Sequence, residues 1–278
     1  AALAGLRAGD VILEVDGQDF RKSTSDKVSA ALKGAPGSKI TLLVQRPGET
    51  KPRKIEFRRQ KIQVSPVSYY GALPSGYGYI ALTSFPNTAA SEVKKAFLEL
   101  KAKHHIKGLI LDLRDNGGGL IDEAIKIVNF FVPAGEEVVT TRGRNARLQE
   151  TIYKTTDKPL DTEIPLAVLI NAQSASSSEI VSGALQDLDR AVVMGVKSYG
   201  KGLVQTTMQL PYDGTIKLTT AKYYIPSGRC IQRIDYHSLR EGKGATILPD
   251  SLTKVFHTRA GREVRDAGGI LPDITLPV

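Results

Sequence analysis

Three short apolar runs constrain the fold of this 278-residue chain more than any other feature. They read LILDL at 109–113, PLAVLI at 165–170 and AVVMG at 191–195. The first two are apolar enough to be buried on both faces, as strands of a parallel sheet are. Helical patterns alternate with them. The stretch at 87–104 is amphipathic, with Val93, Phe97 and Leu100 on one face, and a second helix pattern covers 121–132. A third, EIVSGALQDL, follows four serines after the second strand. GYIALTSF at 78–85 predicts a further strand. Two hairpins are expected, EEVVTTRG with ARLQETIYK and LVQTTMQL with TIKLTTAKYYI around Asp213-Gly214. Residues 63–278 therefore read as an α/β domain with a partly parallel core, and 235–260, of weak periodicity, as an excursion from it.

Residues 1–62 read differently, as a small β-rich module with one helix. Asp16-Gly17 is a strong turn signal after VILEV. STSDKVSAALKG predicts a capped helix ending at Gly34. KITLLVQ and RKIEFRR predict two strands joined at Pro47-Gly48. Residue 1 falls inside this module, so further sequence is expected upstream and the absence of a visible signal peptide says little about compartment.

The formal net charge of +9 raises the question of nucleic acid. Much of the excess lies before residue 62, where 13 Lys/Arg face 7 Asp/Glu. KPRKIEFRRQK, its densest part, alternates along a strand with few aromatics and reads as a solvated edge. Nucleic acid is not expected as a partner; weak attraction to anionic surfaces or acidic partners is. The single cysteine, Cys230, excludes an internal disulfide. His104 and His105 are adjacent and do not share a helix face. His237 and His257 lack partner spacing, and no HExxH, CxxC or GxSxG occurs, so neither a metal site nor a Ser-His-Asp triad is expected.

Two loops and one serine cluster carry chemistry. RDNGGGLIDEA joins a buried strand to a helix, a geometry that aims backbone N–H groups outward at the positive end of a helix dipole. It is either a tight turn or a cradle for an anion, and it lacks the G-K-[ST] of a nucleotide loop. Ser174, Ser176, Ser177 and Ser178 precede the third helix, and any of them could be its N-cap. A nucleophile there would gain the helix N-terminus and the amide that follows it. It would still need a base. SYGKGLVQ supplies Lys201 between two glycines that permit close backbone approach. Lysine serves as a base when burial disfavours its charge. Gln205, four residues on, could orient the amine. Together these form a Ser-Lys constellation.

LDLRDNGGGL, NAQSASSSEIVSGALQD and RAVVMGVKSYGKGLVQ, in this order and spacing, resemble the carboxy-terminal processing proteases, also called tail-specific proteases, a family of serine peptidases. AGLRAGDVILEVDGQ resembles the later part of that family's PDZ domain, so 1–62 is expected to be a PDZ domain lacking its N-terminal part. The resemblance covers essentially the whole chain. It implies a crotonase-like or ClpP-like α/β core. The family's serine lies 25 residues before its lysine, which selects Ser176 with Lys201; the glutamine four after the lysine maps to Gln205. The family's oxyanion donors map to the backbone N–H groups of Gly119, with Gly118 as neighbour, and Ser177. Position 177 is alanine in many relatives, but only its N–H is needed. Ala267 stands where the family's closing segment usually has glycine.

The resemblance thus implies a serine endopeptidase that acts on unfolded or C-terminally exposed proteins. It needs no cofactor, can form homo-oligomers, and works in a periplasmic or cell-envelope compartment. The alternative is a PDZ-containing peptide-binding scaffold whose core does no catalysis. A crotonase-type acyl transferase is a third reading, but no adenine or phosphate site accompanies the glycine loop.

Overall fold

The computed structural model describes residues 1–62, 64–144, 150–236, 246–247, 253–266 and 268–276. The chain divides into two compact units, Ala1–Val64 and Ser65–Val278.

The first unit opens with a 3-10 turn at Ala2–Ala4. Strands β1 (Val11–Val15), β2 (Gln18–Asp19), β3 (Lys39–Gln45) and β4 (Arg53–Arg58) form an antiparallel sheet in the order β2-β1-β3-β4, with helix α1 (Ser25–Leu32) between β2 and β3. Asp16 and Gly17 both take positive φ, 50° and 83°, which closes the β1–β2 hairpin at the dipeptide where the turn is expected. Alternation along β3 buries Ile40, Leu42 and Val44 against Val15, Phe20 and Ile55. Helix α1 stops at Leu32, two residues before Gly34, because Lys33 is already extended. Arg46 anchors the chain start, pairing with both carboxylate oxygens of Asp10 at 2.8 Å and donating to the Gly5 carbonyl.

The second unit is built on a six-stranded sheet. Its elements run β5 (Val67–Ala72), β6 (Gly78–Leu82), α2 (Ala89–His104), β7 (Leu109–Asp112), α3 (Ile121–Asn129), β8 (Glu137–Gly143), β9 (Glu150–Lys154), β10 (Leu166–Ile170), α4 (Ser177–Asp187) and β11 (Val192–Gly195). They continue as β12 (Leu203–Gln209), β13 (Thr215–Tyr224), β14 (Ile234–Asp235), β15 (Thr246–Ile247), β16 (Val255–His257), β17 (Glu263–Arg265) and β18 (Ile274–Thr275). The main sheet has the order β18-β11-β10-β7-β6-β5. All neighbours are parallel except β5, which pairs antiparallel with β6. The three apolar runs are thus adjacent strands β7, β10 and β11, and Leu111, Val168 and Val193 are wholly buried among them. Strand β5 carries too many polar and exposed residues to stand out in the sequence, and GYIALTSF is a strand only as far as Leu82.

The two expected hairpins exist, and they merge. β13 pairs with β12 and also with β8, so that β12-β13-β8-β9 form one antiparallel sheet with β12 at an edge. Of the region expected to be an excursion, the described part forms two small hairpins, β14 with β15 and β16 with β17.

Helix α4 is buried along its whole length and packs on α3, β8 and β11. A helix buried all round must satisfy its polar side chains internally. Ser182 donates to the Ser178 carbonyl, and Gln186 donates to Leu271 and Asp273. Asp187 pairs with Arg229 at 2.9 Å, both side chains without solvent contact, and also accepts the Ser227 N–H. Removing one partner of such a pair leaves an uncompensated buried charge. Asp187→Ala should therefore lower stability by about 3–5 kcal/mol, read as a shift in the urea unfolding midpoint at unchanged slope. A shift below about 1 kcal/mol, the range of an exposed pair, would contradict the role given to this contact.

Candidate active site

Three segments converge at the start of α4: the loop after β7, the turn into the helix, and the loop after β11. Asn116, fully buried, organises the first two. Its side chain donates to the Leu82 carbonyl and accepts the Gly118 N–H, while its own carbonyl accepts the Ala175 N–H and the Ser178 hydroxyl. Of the three glycines that follow, Gly118 and Gly119 leave no room for side chains. At Gly118, with φ of 96°, a Cβ would fall 2.7 Å from the Ala175 oxygen, 2.8 Å from the Ser176 Cβ and 3.0 Å from the Ser177 nitrogen. At Gly119 a Cβ would collide with the Phe85 carbonyl.

The four serines, equivalent as helix caps in the sequence, have different surroundings. Ser174 is fully buried and donates to the Leu113 carbonyl. Ser177 donates to the Gly119 carbonyl, and Ser178 to the Asn116 carbonyl. Of the four, only Ser176 has a hydroxyl that donates to no carbonyl among the described residues, and only Ser176 is partly exposed. Its backbone is also exceptional, with φ 57° and ψ −114°. A non-glycine residue in such a region stores on the order of 1–3 kcal/mol and persists only where its surroundings hold it.

What holds it is Glu179, which the sequence reading passed over. Its carboxylate has no solvent exposure and accepts four hydrogen bonds. One oxygen takes the N–H of Ser176 at 2.8 Å and the N–H of Lys201 at 2.9 Å. The other takes the Ser198 hydroxyl at 2.6 Å and the Gly200 N–H at 2.7 Å. Burial pushes this carboxyl above the usual glutamate range, against the four donors, which pull it down. One side chain thereby fastens the backbone of position 176 to the backbone of position 201. The signal was present in the sequence as the Ser-x-x-Glu spacing of a capping box.

The loop at 198–202 is pinned from its other side as well. The Gly200 carbonyl accepts the Arg233 N–H, and the Gly202 N–H donates to the Gln232 side chain. A Cβ at Gly200, where φ is 85°, would lie 2.5 Å from the Arg233 Cβ, so the close approach expected of these glycines is real.

The side chains of this loop are less organised than its backbone. Lys201 is exposed, which departs from the burial expected of a lysine base, and among the described residues no hydrogen bond joins it to Ser176 or Gln205. Gln205 lies on β12 and is exposed too. It lines a groove whose walls include neither Ser176 nor Lys201. The N–H groups of Gly119 and Ser177 donate to no acceptor among the described residues, whereas that of Gly118 is taken by Asn116. His104, His105 and His257 are exposed; His237 and Ala267 lie outside the described residues.

Glu179→Gln tests the carboxylate. An amide keeps one acceptor oxygen and turns an NH2 group toward two donors. Hydrogen bonds to a charged acceptor are worth about 1.5–3 kcal/mol each, so amide hydrogen exchange across 198–202 should speed up by roughly ten- to hundredfold. Unchanged protection there would show that other contacts hold the loop.

Comparison with known proteins follows the same lines. Residues 76–238 match peptidase family S41, and residues 1–46 match a PDZ domain. The carboxy-terminal-processing protease of Bartonella bacilliformis is 41% identical over 239 residues, covering 84% of this chain and 54% of that protein. The chloroplastic C-terminal processing peptidase of Tetradesmus obliquus is 34% identical over 247 residues, covering 84% of this chain and 52% of that one. The chain thus spans about half the length of these curated relatives. Among solved structures, a photosystem II D1 C-terminal processing protease superposes with a TM-score of 0.58 at 30% identity, covering 99% of this chain and 65% of its own. The segments that Glu179 and Asn116 tie together all lie inside the S41 match, and the chain belongs to peptidase family S41.

Proposed function

We propose that the protein is a serine endopeptidase in which Ser176 is the nucleophile and Lys201 its base. One observation carries this reading: of four serines at the start of α4, Ser176 alone gives its hydroxyl proton to no carbonyl among the described residues, on a strained backbone pressed against Gly118. Strain held by its surroundings at a helix N-terminus is a mark of a working residue.

In this mechanism Ser176 Oγ attacks a peptide carbonyl while the free amine of Lys201 takes its proton. The tetrahedral oxyanion accepts hydrogen bonds from the Gly119 and Ser177 N–H groups, which have no other acceptor among the described residues. Gly118, its N–H engaged by Asn116, shapes the cradle instead. Collapse expels the amine product, which takes the proton back from Lys201, and water then releases the acyl group. Gln205 orients the lysine amine. Lys201 acts once bound substrate covers it, since removing water disfavours the charged form of an amine.

The parallel sheet with its flanking helices is read as a crotonase-like or ClpP-like core. Substrates are unfolded or C-terminally exposed polypeptides captured through the PDZ domain, in a periplasmic or cell-envelope compartment, and the protein works without cofactor or nucleic acid and can act as a homo-oligomer. The match of 1–46 to a PDZ domain and the names of the relatives support the substrate class. The exposure of Lys201 favours a second reading, a peptide-binding scaffold without catalysis. A fluorophosphonate probe separates the two: labelling of Ser176 is expected of the peptidase and not of the scaffold.

Ser176→Ala should abolish cleavage of an unfolded protein, while Ser174→Ala and Ser178→Ala, which lose buried hydrogen bonds, should cost stability of about 1–3 kcal/mol and keep the chemistry. Lys201→Arg should be as inactive as Lys201→Ala, because arginine keeps its proton. Turnover by Lys201→Arg would remove lysine from the role of base. Gly119→Val should lose at least about 10²–10³ in rate. Wild-type kinetics in that variant would contradict the tight placement of Gly119 on which its role in the cradle depends.

A further inference from the structure

The groove lined by Gln205 has a charge pattern that the proposed chemistry does not use. It has a volume of about 1100 Å³. Four cationic side chains, Arg142, Arg144, Lys222 and Arg233, face one carboxylate, Asp266. Asp266 already accepts the Lys254 N–H. Arg142 is neutralised by Glu150 at 3.1 Å and lies over the Tyr224 ring, 4.7 Å from its centroid. The other three cations form no ion pair among the described residues.

Their arrangement is costly unless something shares it. Lys222 on β13 and Arg142 on β8 are direct cross-strand partners, and like charges in that position destabilise a sheet. The Nε–H of Arg233 is buried without an acceptor, while its guanidinium lies 5.5 Å from the centroid of the Tyr199 ring. The backbone N–H of Arg233 donates to Gly200, beside Lys201, so this end of the groove abuts the loop proposed to carry the base. The groove crosses three adjacent strands of one sheet, with Leu203 and Gln205 from β12, Thr219 to Lys222 from β13, and Arg142 and Gly143 from β8.

We infer that the groove selects polypeptides carrying carboxylate side chains within a few residues of the scissile bond, with Lys222, Arg144 and Arg233 as the residues that read them. This rests on the peptidase reading of the same site. Two glutamines, Gln205 and Gln232, which can both donate to and accept from backbone amides, suit a peptide better than a run of phosphates.

The experiment uses the full chain, with a peptide bearing two glutamates beside the cleavage site and its twin with glutamines. Wild-type protein is assayed for kcat/KM, and Ser176→Ala for binding by fluorescence anisotropy. Two partly exposed ion pairs at up to ~1 kcal/mol each give an expected preference of roughly tenfold for the acidic peptide in both assays. Raising salt from about 50 mM to about 500 mM should erase it. The double variant Arg144→Gln/Lys222→Gln, both at exposed positions, should bring the acidic peptide down to the glutamine peptide, whose turnover stays unchanged; an unaltered urea midpoint checks its fold. Equal values for the two peptides in the wild type, or a preference that survives the double variant, would overturn the inference. So would an oligonucleotide of equal charge that binds Ser176→Ala more tightly than the acidic peptide. If neither peptide is cleaved but Ser176→Ala still binds the acidic one preferentially, the peptidase reading fails while the groove's preference for carboxylate side chains stands.

Discussion

A buried carboxylate with four donors holds the site together. Glu179 sits in the first turn of α4, where the dipole favours negative charge and where backbone N–H groups lack partners. Burial alone disfavours its charge, and that cost is offset only while the donors stay aimed at it. The requirement works in both directions. The carboxylate needs Ser176, Ser198, Gly200 and Lys201 in place, and those residues, drawn from two segments, share no other acceptor among the described residues. The strained backbone of Ser176 follows from this. Its N–H is bound to Glu179 and its carbonyl accepts the helix's own Glu179 and Ile180 N–H groups, so φ and ψ are set at both ends.

Asn116 plays the complementary part for the glycine loop. It turns the Gly118 N–H inward and leaves that of Gly119 outward. Two buried polar side chains, one anionic and one neutral, thus decide which backbone groups face solvent. Because each is satisfied several times over, the arrangement is stiff, and small side-chain changes in either would propagate to atoms they do not touch.

Much of the fold was legible because its signals are local. Continuous apolar runs identify β7, β10 and β11, and the Asp-Gly dipeptides mark two hairpins. What was not legible depends on contacts distant in sequence. Strand β5 has no pattern of its own and exists because β6 offers an edge. The union of the two hairpins through β8 and β13 likewise has no local mark. In the site, the spacing of Ser176 and Lys201 could be read from the resemblance, but the distinction between Ser176 and its three neighbours comes from carbonyls at 113, 116 and 119, some sixty residues away. Glu179 was visible only as half of a capping box. That it also binds the loop at 198–202 is a tertiary fact.

The contrast between fixed backbone and free side chains has a physical consequence for how such a site is completed. The hydrogen bonds to Glu179 place the Cα of Lys201 but leave its four-carbon stem in solvent, where the chain keeps its rotamer freedom and the amine its hydration. Ordering that stem costs up to about 2 kcal/mol, and stripping water from its charge costs more. Neither is supplied by the residues around it, since Gln205 is equally exposed. A bound polypeptide would order the stem and exclude water from it, and the loss of water favours the neutral form of an amine. The proposed cradle, which must be in place before charge develops, is built into the core; the proposed base is left to be ordered by the substrate.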